Sequence, residues 1–285
     1  MIGKFTLNQK ILNDRSYYLS SNSSNLSYSP TKKEDIESYI FDAVDGVISA
    51  KTLTENLFPE KEPHVFISHS SKDVGSAIRL ANTLHDKYGI ISFIDSQLWG
   101  HIDHALKEMH EKYCKIENSS TYHYTKSNNL LSHMHAILSM ALMGVMDNAD
   151  CVIFIESENS IHQYMEQTKI NPINNIERKS ETLSPWISSE VNFANKLRPN
   201  GHIERNLMIK AGTEAYSLNK SNERLAEDSM PKIIHEIDFS GFIQITENSF
   251  IQSLSLQKTY PIHNLDMMYS KYHQGDNSFI TPIVG

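Results

Sequence analysis

The sequence predicts an α/β protein: a parallel sheet of about five strands with helices on both faces. Strand-like and helix-like segments alternate from Val65 onward. One strand segment, Cys151–Glu156, is apolar almost throughout, the pattern of a central strand covered on both sides. A composition of 39% hydrophobic and 21% charged residues over 285 positions is enough for one large domain with additions.

Residues 1 to about 30 are rich in Ser and Asn and read as a loose arm. Thr31-Lys-Lys-Glu34 has the form of a capping box, so a helix is expected there. Ile36, Tyr39, Ile40, Ala43, Val44, Val47 and Ile48 recur at helical spacing and give it an apolar stripe to bury on the main domain. The first strand is Val65–Ser68, followed by an amphipathic helix over 73–88 carrying Ile78, Leu80, Ala81 and Leu84. Gly89 suits the left-handed position that closes a helix. A second strand over 90–95 turns polar at Asp95-Ser-Gln97, and a second helix is expected over 102–113. Residues 115–129 are polar and read as an inserted loop. Leu130, Met134, Ile137, Leu138, Ala141, Leu142 and Val145 then mark a helix ending near Asn148. After the third strand, Cys151–Glu156, residues 157–183 are polar and irregular, and a helix follows over 186–197. Segments 207–209 and 233–237 are expected to complete the sheet, 250–256 to form a last helix, and the remainder a poorly patterned tail.

Several function classes drop out. The first residues, Met1-Ile-Gly-Lys-Phe-Thr-Leu-Asn8, lack the apolar core of a signal peptide. No uninterrupted apolar run approaches the roughly 20 residues that span a bilayer. Two cysteines, Cys114 and Cys151, make no disulfide framework, and a cytoplasmic location is expected. A formal charge of −8 argues against a nucleic-acid binder, which carries a basic face. A phosphorylated small ligand stays open, since backbone N–H groups and a few cations satisfy one. Neither G-x-G-x-x-G, nor a P-loop, nor a G-x-S-x-G elbow occurs. The 14 histidines do not make a metal site. His101 and His104 share a helical face without Cys or carboxylate in zinc-site spacing, and His133 and His135 diverge.

Three segments carry chemistry. In His64-Val-Phe-Ile-Ser-His-Ser-Ser-Lys-Asp73 an apolar strand stops in small polar residues, at the strand end where open α/β sheets bind ligands. The hydroxyls of Ser68, Ser70 and Ser71, with exposed backbone N–H groups, can hold phosphate or ribose oxygens; the alternative is that Ser70, Ser71 and Asp73 merely cap the next helix. Asp95-Ser-Gln-Leu-Trp-Gly100 places Asp95 and Trp99 in a loop after the second strand. Trp99 is there either a mobile aromatic that closes over a ligand or one packed on its own domain. Ser184-Pro-Trp-Ile-Ser-Ser-Glu190 sets Trp186 four residues before Glu190, so both share one helical face. Glu190 reads either as a functional carboxylate or as an acid favoured by the helix dipole in a first turn.

The strand-tip motif and the Trp-x-x-x-Glu helix resemble the TIR domain, in its bacterial, NAD-consuming branch, over residues 64–240. That resemblance implies a flavodoxin-like fold, a catalytic role for Glu190, and a substrate site built from Ser68, His69, Ser70, Ser71, Lys72, Asp95, Trp99 and Trp186. It implies NAD as a substrate, not a cofactor. One carboxylate suffices, because nicotinamide leaves as a neutral molecule and needs no protonating acid, unlike an ordinary glycoside. Standalone proteins of this kind, including those of Thoeris-type anti-phage systems, make nucleotide signals for a downstream effector or destroy NAD, and self-associate through TIR surfaces. An adaptor module that signals by assembly alone is the competing expectation. On this division residues 1–62 are an N-terminal arm and helix, 63–240 the TIR domain with an insertion at 115–148, and 241–285 a C-terminal helix and tail.

Overall fold

The protein is seen in a computed structural model that describes residues 3–13, 25–28, 49–51, 54, 62–167, 176–197, 235–245 and 260–272. In chain order its strands are β1 (Gly3–Asn8), β2 (Val65–Ser68), β3 (Ser92–Ile94), β4 (Cys151–Glu156), β5 (His162–Gln167), β6 (Ile176–Thr182), β7 (His235–Ile237) and β8 (Ile243–Ile245). The helices are α1 (Gln9–Asn13), α2 (Val74–Tyr88), α3 (Ser96–Met109), α4 (Tyr124–Asn148), α5 (Pro185–Lys196) and α6 (Pro261–Tyr272). Five strands form one sheet in the order β3-β2-β4-β1-β8, with parallel pairing throughout. Strands β5, β6 and β7 make a second, antiparallel sheet.

The two-residue period of the strands decides the layers. Phe5, Leu7, Val65, Ile67, Ile153 and Ile155 pack on one side with Ala77, Leu80, Ala81 and Leu84 of α2 and Leu265, Met268 and Tyr269 of α6. Phe66, Phe93 and Val152 pack on the other with Ala105 and Met109 of α3, Met134, Leu138, Leu142 and Met146 of α4, and Ala194 of α5. Helices therefore cover both faces, and β4 lies at the centre, as its unbroken apolar run requires. Gly89 ends α2 in the left-handed region at φ 69°, its N–H donating to the His85 carbonyl at 2.9 Å.

The expected loose arm is wrong at two places. Gly3–Asn8 is an inner strand of the sheet, between β4 and β8, with Phe5 and Leu7 wholly buried. Burying such side chains stabilises by roughly 1.5–3 kcal/mol each. Ser27 and Tyr28 are also anchored, Ser27 on Asn82 and Asp86 of α2, and Tyr28 on the backbone of Ser92. The segment expected to be an insertion supplies α4, whose buried stripe belongs to the main core. By length and composition α4 is also apolar enough to cross a membrane. Residues 157–183 hold strands β5 and β6 instead of irregular chain, and 233–237 supplies β7 to the second sheet, not the first. The fifth strand is Ile243–Ile245, so both outer segments contribute to the main sheet. Part of the expected tail forms α6, docked by a hydrogen bond of 2.6 Å from Tyr269 to Asp150. The expected helix after Thr31, the strand at 207–209 and the helix at 250–256 lie outside the described residues.

Candidate functional site

Strand β2 is followed in the chain by β3 on one side of it, and β3 by β4 on the other. The carboxyl ends of β2 and β4 thus mark the point where connections diverge, where open parallel sheets bind ligands. Ser68, the last residue of β2, reaches this point as a buried hydroxyl. Helix α5 brings Glu190 to it. Its start is fixed by Ser184, whose hydroxyl accepts from the Ile187 N–H at 3.3 Å, and by Pro185 in the first turn, where no N–H is needed. Glu190 consequently sits in the second turn, one turn after Trp186. The first turn holds no acid, so the dipole explanation for Glu190 fails.

Glu190 is only 3% exposed. Ser68 Oγ donates a hydrogen bond to its Oε2, while Oε1 is buried without a hydrogen-bond partner among the described residues. Burial holds this carboxyl well above the ordinary carboxylate range; the negative charge of Asp95 pushes the same way, and the Ser68 hydrogen bond opposes both. Glu190 and Trp186 also line a cavity of about 10 Å³ between α5 and α4, room for no more than a water. Trp186 is half-buried and meets the ring of His135 edge-on at 6.0 Å.

His69 and Asp95 complete the cluster. His69 Nδ1 lies 3.2 Å from Asp95 Oδ1, and His69 Nε2 is 2.8 Å from Ser96 Oγ. Asp95 also accepts from the Ser96 N–H at 2.8 Å and so caps α3. The expected loop at 95–100 is therefore the first turn of α3, because this cap starts the helix directly after the strand. Trp99 stands on α3, and its side chain lies outside the described residues. Ser70, Ser71 and Lys72 sit on a 3₁₀ turn beyond Ser68, with no hydrogen bond to Glu190 among the described residues. Among the described residues the Ser70 side chain makes no capping hydrogen bond; its carbonyl accepts from the Asp73 N–H at 2.8 Å. Ser68, His69, Asp95, Trp186 and Glu190 are thus brought to one place, and Ser70, Ser71 and Lys72 to its rim.

Sequence reading missed two features. Ser96 joins the cluster, and its one signal was its position at a strand-to-helix junction. Asp73 anchors a second network: it accepts from Gln9 Nε2 and Asn159 Nδ2, each at 2.8 Å, and from Ser157 Oγ. Its partners Gln9, Ser157 and Asn159, with Lys10 and with Asn8 and Glu156 at the carboxyl ends of β1 and β4, line a cavity of about 510 Å³. Its partners come from opposite parts of the chain, so no local pattern announced it.

No protein-family model, no curated protein and no solved structure matches this chain.

Proposed function

We propose that the protein is a TIR-type enzyme that cleaves the nicotinamide–ribose bond of NAD. The observation that carries this reading is Glu190: a buried carboxyl, held at one oxygen by the hydroxyl at the tip of β2, with its other oxygen unpartnered among the described residues. The strand order supports the fold half of the reading. With β2, β3 and β4 as the first three strands, it begins as the flavodoxin-like order 2-1-3-4-5 does, with 2-1-3. The departure is that the fourth place is filled by β1, the first strand in the chain.

Oε1 accepts a ribose hydroxyl, and the carboxylate faces the positive charge that develops on the sugar as neutral nicotinamide leaves. In the free protein the proton on Glu190 is favoured by burial and by Asp95. A pyridinium cation nearby reverses that balance, because an opposite charge favours the ionised form. Substrate binding therefore discharges the proton and readies the carboxylate. Since Glu190 is almost wholly buried, ribose entry requires the residues around it to part. The larger cavity at β1 and β4 lies along the same edge of the sheet and falls in the volume range of small-molecule sites. With this reading go self-association, a nucleotide product sensed by a downstream effector, and a cytoplasmic setting.

The test is incubation of the full chain with NAD, with products read by mass spectrometry. Nicotinamide should appear with ADP-ribose, a cyclic isomer or a conjugate, and Glu190→Gln should slow its release by about 10²- to 10³-fold. A folded Glu190→Gln protein that consumes NAD near the parental rate removes Glu190 from the chemistry. One that lacks cleavage yet signals normally favours the adaptor instead.

A further inference from the structure

The geometry points to a second reactive centre at this end of the sheet, in which Ser96 is a nucleophile toward carboxylic esters, activated by His69, which Asp95 orients. Ser96 Oγ lies 2.8 Å from His69 Nε2, and His69 Nδ1 lies 3.2 Å from Asp95 Oδ1. With the carboxylate beside Nδ1, the ring proton belongs there, and Nε2 is left to accept the hydroxyl proton. That is the arrangement of a nucleophile, a base and a group that orients the base, recognised by geometry and not by chain position. The Nδ1 contact lies off the hydrogen-bonding axis, as such contacts do before a ligand tightens them.

Three further features fit the role. His69 and Asp95 are 3% and 6% exposed, whereas Ser96 is half-buried and within reach of a ligand. Ser96 stands where β3 passes into α3, at the carboxyl end of the sheet, as the serine of a nucleophile elbow does. The flanking glycines of that motif are missing, so the likeness is one of position only. Finally, Ser96 opens a helix of 14 residues. The Ser96 N–H is taken by Asp95, but the N–H groups that follow it in the first turn have no partner inside the helix and are donors for a carbonyl oxygen that becomes negative.

The reaction needs only an ester and water. Ser96 Oγ bonds to the carbonyl carbon as its proton passes to His69 Nε2 and the carbonyl electron pair moves to oxygen. Collapse of this adduct breaks the ester C–O bond, and the leaving alkoxide takes the proton from His69. Water then attacks the acyl-serine by the same path and releases the acid. This chemistry does not depend on NAD or Glu190.

The full chain is treated with a fluorophosphonate, which forms an Oγ–P bond as fluoride leaves and the proton goes to His69. Peptide mass spectrometry should find the label on Ser96 in the native protein and not in the urea-unfolded chain. His69→Ala should slow labelling by about 10²- to 10⁴-fold. Asp95→Asn should lower the maximal labelling rate without changing the half-saturating probe concentration, and Ser96→Ala should abolish turnover of p-nitrophenyl acetate. If native Ser96 stays unlabelled, or is labelled as fast in the unfolded chain or in folded His69→Ala, the inference is overturned. Should His69→Ala not fold, the comparison of native and unfolded parental chain decides alone.

Discussion

Glu190→Gln should stabilise the protein, and increasingly so as pH rises above the ordinary carboxylate range. The folded state raises the proton affinity of Glu190 through burial and Asp95, so above that range it keeps a proton that the unfolded chain has lost. Stability from this group is complete below the unfolded pKa and is lost as pH rises toward the folded value. Within that window each pH unit costs the native state about 1.4 kcal/mol. Gln does not titrate, nearly matches Glu in volume, and still accepts from Ser68 through its amide oxygen. The two proteins should be close in stability near pH 4. Their difference should then grow by about 1.4 kcal/mol per pH unit until the folded value is reached, roughly 2–3 °C in Tm per unit for a chain of this size. Thermal and urea unfolding of both proteins from pH 4 to 8 measure it. A difference that is flat, or that favours Glu190 at high pH, would mean that the carboxylate is ionised and paired in the fold, and the reasoning would fail. The same substitution is expected to remove NAD cleavage, so stability and activity should move in opposite directions.

Two other substitutions test the framework of the site. Tyr28→Phe removes a hydroxyl that donates to the Ser92 carbonyl at 2.6 Å and accepts from its N–H at 3.0 Å. Because Ser92 is fully buried, the loss should cost about 1–3 kcal/mol in urea unfolding, and an unchanged midpoint would show that the contact does not hold in solution. Asp73→Ala leaves the donors of Gln9, Ser157 and Asn159 without their shared acceptor. It should cost about 2–3 kcal/mol and speed hydrogen exchange at residues 157–160, and a loss below about 0.5 kcal/mol would refute the anchoring role.

The sequence by itself determined the elements whose cause is local. The apolar run of Cys151–Glu156 was enough to mark a central strand, and Gly89 to end α2. The spacing of Trp186 and Glu190, behind a Ser–Pro start, was enough to place both on one helical face. Everything that depends on pairing between distant segments was decided by the tertiary structure. Gly3–Asn8 looks like part of a polar arm because only two of its side chains, Phe5 and Leu7, are large and apolar. It becomes an inner strand because β4 and β8, from far along the chain, satisfy its backbone on both sides. The site shows the same division. Ser68 and Glu190 were legible one by one as residue types at a strand tip and on a helix. Their hydrogen bond, the raised proton affinity of Glu190, and the meeting of His69 with Asp95 and Ser96 were not. These depend on burial and on distances of a few ångströms, which only the packing of α3 and α5 against the ends of the strands sets.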